Sequence, residues 1–266
     1  MKLGLCSIAA LDRPLSEVIR AAATAGADGL EVTARPPHVA PDADRLTLRA
    51  IADEIGSAGL AVLAYGSYLG HGDIDPQREV ERTVALGTRL LRVWAPLLPG
   101  EPDAGFARTV ALLERTCDLA ESEGIDVVVE RHIGSFADTR ERTIRLIEAV
   151  NRENFGLNYQ VCDFLEPSAV PLQTEDARRL APLARYVHLK NYVLDPERGR
   201  LVHGGSLADG VLDYTSLLGA LVDAGYTGPM SVEFLSAEAL PVEERLTRDL
   251  RFVRETLAGA AGTPIR

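Results

Sequence analysis

Read for its alternation of apolar and polar positions, the chain repeats one theme. Short apolar, often β-branched runs occur at KLGLCSI, DGLEVT, LAVLAYG, RLLRVWA, IDVVVER, FGLNYQ, ARYVHLK and PMSVEF. Between them lie stretches with apolar residues at i, i+3, i+4 and i+7, such as LSEVIRAAATAG and FARTVALLERTCDLAESEG. The first pattern predicts strands and the second amphipathic helices. Many helices end in Gly before the next strand, as in AGADG, AGLA, LGTR, EGID and AGYTG. A glycine there suits the left-handed cap that stops a helix. Strand and helix alternating eight times over about 260 residues predicts an α/β fold, a single (β/α)8 TIM barrel. A doubly wound open sheet competes, but it would more usually carry a Gly-rich phosphate turn after its first strand, and CSIAALDRP is not one.

Two stretches break the rhythm. Residues 66–76, GSYLGHGDIDP, form a Gly-rich polar loop after the third strand, and residues 191–212 make a long excursion after the seventh. Both follow strand C-terminal ends, the face on which barrels carry their sites, and long loops there tend to be functional. No low-complexity tract or linker interrupts the chain, so residues 1–266 read as one domain.

Composition narrows the function. A hydrophobic fraction of 46% over 266 residues supplies a large core. No apolar run approaches the roughly 20 residues that cross a bilayer, which argues against a membrane protein. MKLGLCSIAALDRP reads as a first core strand rather than a secretory segment, because Asp12 and Arg13 arrive early. Cys6, Cys117 and Cys162 are odd in number and far apart, with no CxxC pair, so a reducing cytoplasm is expected and buried filling is their simplest role. A net charge of −11 argues against a nucleic-acid partner, which needs a basic surface, and leaves a small-molecule substrate.

Candidate chemistry gathers where strands end. Glu130 follows VVV, Gln160 and Asp163 follow FGLNY, His188 lies in YVHLKN and Glu233 follows SV. A carboxylate at the end of a barrel strand is costly without a partner, and charges at the same end of successive strands converge on the axis. Carboxylate, imidazole, carboxylate and an amide or second carboxylate form a ligand shell for Mn, Mg, Co or Zn. For any one of these residues, a rim ion pair with Arg92 or Arg131 is the simpler reading; for three strands ending alike, a shared site is the better one.

ERHIGS after a VVV strand, NYQVCD, VHLKN followed by ADGVLDY, and a final GYTGPMSVE together resemble the sugar-phosphate isomerase/epimerase superfamily, the xylose-isomerase-like TIM barrels. The resemblance runs from DGLEV to SVEF. It implies one divalent metal held from strands five to eight, which carries over to Glu130, Gln160, His188 and Glu233. Gln160 departs from the usual Asp, and Asn191 departs from the Asp of an HLKD pattern. Either the ion is held more weakly, with Asp163 as a substitute ligand if its loop bends inward, or the pocket serves metal-free chemistry.

Two carboxylates across a small pocket suit proton abstraction beside a carbonyl. The expected activity is an isomerase or epimerase of a small polyhydroxylated carbonyl compound, using Glu130 and Glu233 with Lys190 as donor. A lyase of the inosose- or 3-dehydroshikimate-dehydratase type is the alternative, and a non-catalytic or metal-independent sugar-binding barrel is a third reading. Endonuclease IV chemistry, which uses a histidine-rich multi-metal cluster, does not fit a chain with five His. His132 is a second candidate donor. Glu31 is placed to bind a hydroxyl or to pair with Arg35, while His71 and Trp94 suit a sugar-like ring. His38 and His203 read as loop residues. Barrels of this kind often pair, which leaves a homo-oligomer open, but no exposed stripe can be read as its interface.

Overall fold

The protein, described by a computed structural model over residues 1–97, 102–162 and 166–261, closes the predicted barrel. Eight parallel strands form its wall: β1 (Leu3–Cys6), β2 (Gly29–Thr33), β3 (Ala61–Gly66), β4 (Leu90–Val93), β5 (Asp126–Glu130), β6 (Phe155–Tyr159), β7 (Ala184–Leu189) and, after an inserted hairpin of β8 (Asn191–Asp195) and β9 (Arg200–Gly205), β10 (Met230–Val232). The closed order is β1-β10-β7-β6-β5-β4-β3-β2, and β8 and β9 pair only with each other, antiparallel.

The helices are α1 (Leu15–Thr24), α2 (Arg45–Ser57), α3 (Pro76–Ala85), α4 (Pro102–Glu121), α5 (Arg140–Val150), α6 (Gln173–Leu180), α7 (Tyr214–Asp223) and α8 (Val242–Ala261). Asp44, Asp75, Thr139 and Asp213 cap α2, α3, α5 and α7 by accepting free N–H groups of the first turn. At the other ends, Gly26 (φ 72°) and Gly124 (φ 63°) take the left-handed turn back to the sheet, a conformation that β-branched or bulky residues resist.

Strand alternation divides the wall into two faces. Leu30 and Val32, Leu91 and Val93, Val127 and Val129, Leu157 and Tyr159, and Val187 and Leu189 pack with the helices in one continuous apolar layer. The intervening positions face the lumen. Its lower part is a separate apolar plug of Leu63, Ala64, Leu90, Val128 and Tyr186. Gly4 and Gly29 border that plug closely: a Cβ on either would lie within 2.9 Å of the Leu63 side chain. One step further along each strand the lumen turns polar, and there the candidate residues meet.

Candidate active site

Glu130 is the last residue of β5, Gln160 and Glu233 immediately follow β6 and β10, and His188 is the penultimate residue of β7. All four are buried. One donor atom each from Glu130, His188 and Glu233 lie within 4.8 Å of one another. The convergence expected from the strand ends is therefore present. Asp163 lies outside the described residues.

Glu31, from β2, belongs to the same centre, and its expected pairing with Arg35 is replaced by two stronger ones. Its Oε2 is 2.5 Å from His188 Nε2, and its Oε1 accepts from Arg92 Nε and Nη2 at 3.4 and 3.3 Å. Arg35 is exposed on the following loop, whereas Arg92 rises from β4 inside the lumen. Arg92 Nη1 also stands 2.9 Å from Glu130 Oε2. The rim-pairing reading is thus correct for Glu130 and Arg92, except that the pair lies in the centre rather than at the rim. Arg131 turns away and pairs with Asp176 at 2.7 Å.

Lys190 is fully buried, so its ammonium does not reach solvent; Nζ is 2.9 Å from Glu233 Oε2. The Tyr214 hydroxyl, at the start of α7, accepts from the Lys190 N–H at 2.9 Å and donates to its carbonyl at 2.7 Å, fixing the backbone from which the ammonium extends. Three carboxylates, Glu31, Glu130 and Glu233, thus face two fixed cations, Arg92 and Lys190, with His188 between them. Isolated charges in such a place are costly, and mutual pairing makes the cluster tolerable.

The titration of these groups follows from burial and neighbours. Burial drives the Glu31 carboxyl up, but His188 and Arg92 together overcome it and leave it lowered to about 2. Burial likewise disfavours the His188 imidazolium, yet Glu31 and Glu233 raise it above its ordinary value. Glu130 is raised: burial dominates, Arg92 opposes it and Glu233 adds to the rise. A buried carboxyl with an elevated affinity for protons suits acid–base work.

Gln160 donates from Nε2 to Glu130 Oε1 at 2.9 Å and to the Arg131 carbonyl at 2.7 Å, while its own Oε1 is buried without a hydrogen-bond partner. That orphaned oxygen is a hard donor on a side chain held against Glu130. The Glu31 carboxylate accepts from His188 Nε2, which leaves Nδ1, 3.6 Å from Glu233 and 3.2 Å from Asn158 Nδ2, as the nitrogen facing Glu233; a carboxylate that orients an imidazole in this way is usual beside a metal. Glu130, His188 and Glu233 are close enough to hold a divalent cation, with Gln160 against Glu130. Cys6, Glu31 and His188 form a second close group, but burial raises the Cys6 thiol well above its ordinary value, and the Glu31–His188 bond already uses the other two.

Asn191 is not a ligand. Its amide donates to the Leu207 and Leu212 carbonyls and its oxygen accepts from the Tyr192 and Leu212 N–H groups, tying together the two feet of the excursion. Within that excursion, His203 lies on β9 and stacks on Phe234 at 4.1 Å. His38 is in a loop, but buried against the Arg13 carbonyl. On the opposite wall, Trp94 is half-buried at the centre of an aromatic group: His71 and His132 each meet its ring at 4.8 Å, and Tyr68 stacks on it at 6.0 Å.

Residues missed by sequence reasoning are Asn158, Gly66 and the central placement of Arg92. Asn158 Nδ2 lies 3.2 Å from His188 Nδ1, and its oxygen is buried without a partner. Period two was the available signal: Asn158 shares the lumen face with Gln160, and Arg92 with Leu90.

Residues 19–256 match the family described as xylose isomerase-like TIM barrel. The chain belongs to that family. It is 27% identical over 199 residues to the ketose 3-epimerase of Arthrobacter globiformis, covering 71% of this chain and 62% of that relative's length. A xylose isomerase-like TIM barrel protein from Mycobacterium smegmatis, solved in complex with magnesium, superposes with a TM-score of 0.75 at 16% identity, over 97% of each chain. The probable 3-DHS dehydratase AsbF of Bacillus anthracis gives 0.71 at 18%, over 96% of this chain and 99% of that one. At such identities the two structures establish the shared barrel.

Proposed function

We propose that this barrel is an isomerase or epimerase that moves a proton at the carbon beside the carbonyl of a small polyhydroxylated compound. The observation that carries the reading is the approach of Glu130 and Glu233 to within 4.8 Å, with His188 between them and Lys190 against Glu233. One carboxylate takes the proton from carbon. The C–H pair becomes the C=C bond of an enediol(ate), and the carbonyl π pair moves onto oxygen. The other carboxyl returns a proton to the opposite face of that carbon, giving the epimer, or to the former carbonyl carbon while the hydroxyl proton passes to the former carbonyl oxygen, giving the isomer.

Glu130, His188 and Glu233, with Gln160, would hold a divalent cation, and such an ion would polarise the carbonyl as a Lewis acid. The chain's own contribution is positional. Glu31 fixes the imidazole, Arg92 and Gln160 hold Glu130 by its two oxygens, and Lys190 brings an N–H donor to the side on which oxygen gains charge. Trp94 and its aromatic neighbours supply an apolar wall for one face of a sugar-like ring. The likeness to a ketose 3-epimerase supports a ketose as substrate.

A lyase is the second reading, favoured by Lys190 Nζ at 2.9 Å from Glu233: the same enolate expels a β-hydroxyl if that ammonium protonates it. One experiment separates the two. A panel of ketoses, keto-inositols and dehydroshikimate is incubated in deuterated water and followed by proton NMR. Deuterium at the carbon beside the carbonyl without loss of water is expected. Elimination products would transfer the assignment to the lyase, and no exchange with any compound at added Mn or Mg would remove both.

A further inference from the structure

Glu130 Oε1 accepts from Gln160, and its Oε2, which makes no hydrogen bond, forms an ion pair with Arg92 Nη1 at 2.9 Å. The guanidinium doing this is only 2% exposed and also holds Glu31 and the Ser67 carbonyl. The wall is cut to admit it. β3 ends on Gly66, and a Cβ at that position would stand 2.4 Å from Glu31 Oε1 and 2.6 Å from Arg92 Nη2. An arginine that merely balanced a rim carboxylate would need no such clearance. Here an immobile positive charge touches a carboxylate that also belongs to the metal-ligand group.

We propose that Arg92 is a positioning residue that serves as a resident counter-cation for Glu130 and Glu31, and so makes the centre a weak, readily exchanging site for a divalent ion. The inference rests on the reading that Glu130, His188 and Glu233 hold such an ion. A carboxylate whose charge is shared with a guanidinium is a poorer ligand, and two positive charges a few ångströms apart repel strongly in a buried site. Gln160 acts in the same direction, because an amide oxygen brings no charge to the shell. The ion is then easily lost and easily replaced, while the carboxylates keep their places through Arg92.

The test is calorimetric titration of the chelator-treated full chain with Mn(II) alone, without substrate. Arg92→Met is expected to bind Mn(II) at least tenfold more tightly than the unaltered protein, and Arg92→Lys, which keeps the charge, to stay within about threefold of it. A purely structural arginine gives the opposite sign, since its loss would loosen Glu130 and weaken binding. Equal or weaker binding by a folded Arg92→Met protein would overturn the inference and leave the metal reading intact. No binding by either protein would remove the metal reading and this inference together. If Arg92→Met does not fold, the Arg92 Nε–H resonance of the 15N-labelled protein, followed during titration with Mg(II), decides. A shift that saturates with the ion is expected, and a signal unmoved at saturation sinks the proposal.

Discussion

On β5, Val127 and Val129 face the helices, while Val128 and Glu130 face the lumen; on β7, Val187 and Leu189 face outward, while Tyr186 and His188 face inward. The outward set is apolar from end to end and buried against neighbouring side chains. The inward set is apolar at one end and carries carboxylates, imidazole and guanidinium at the other. The outer layer gains stability from area removed from water, and a shortened side chain there leaves a void. In the upper lumen desolvation offsets part of the attraction within the buried ion pairs, so losing one partner costs more than the pair contributes. Folding and chemistry are thus separated by one residue of register, and the separation can be tested from both sides.

The largest contrast is in rate. Glu130→Gln and Glu233→Gln should each reduce proton exchange by about a thousandfold or more, equivalent to about 4 kcal/mol of barrier, with an unchanged far-UV spectrum. Exchange near the parent rate in either variant would strip that residue of its role. On the outer face, Leu157→Ala should cost about 3 kcal/mol in urea unfolding. Its turnover per folded molecule should match the parent, and a parallel fall in both would deny that the two faces are separable.

Acid should expose the inner face selectively. Glu31 is held at about 2 in the fold against an ordinary 4.5, so its stabilising contribution is complete above pH 4.5 and drains away as pH falls towards 2. The difference corresponds to about 3 kcal/mol. The stability gap between the parent and Glu31→Gln, read from denaturant midpoints, should therefore narrow through that window. His188 has the opposite sign: its raised value contributes below about 6.5 and is lost as pH climbs through the folded value. A gap that stays constant from pH 6 to pH 3 would refute the assignment. The smallest effect belongs to the aromatic wall. Trp94→Ala should raise KM about tenfold with kcat little altered, the mark of binding shared equally by ground and transition states.

The barrel, its strand order of residues and the ends that bear Glu130, His188 and Glu233 were legible in sequence because period two and period 3.6 are local signals. Partners were not. Arg92 sits 61 positions from Glu31 and His188 sits 157 from it, and nothing local distinguishes those pairings from Glu31 with Arg35. Asn191 shows the same limit. A departure from an expected Asp looked like weakened ligation, yet its amide accepts two backbone bonds and donates two more, and an Asp carboxylate could not make the donated pair. Gly66 read as an ordinary loop glycine, since the collision it avoids arises only when three strands are side by side.

The clasp made by Asn191 and Tyr214 has a consequence for how this scaffold can change. The excursion is pinned at both feet, and its outer turn, Glu197 to Gly199, lies beyond those bonds. An insertion of four glycines at that turn should therefore spare kcat, whereas Asn191→Ala, which unties the loop at its root beside Lys190, should lower it.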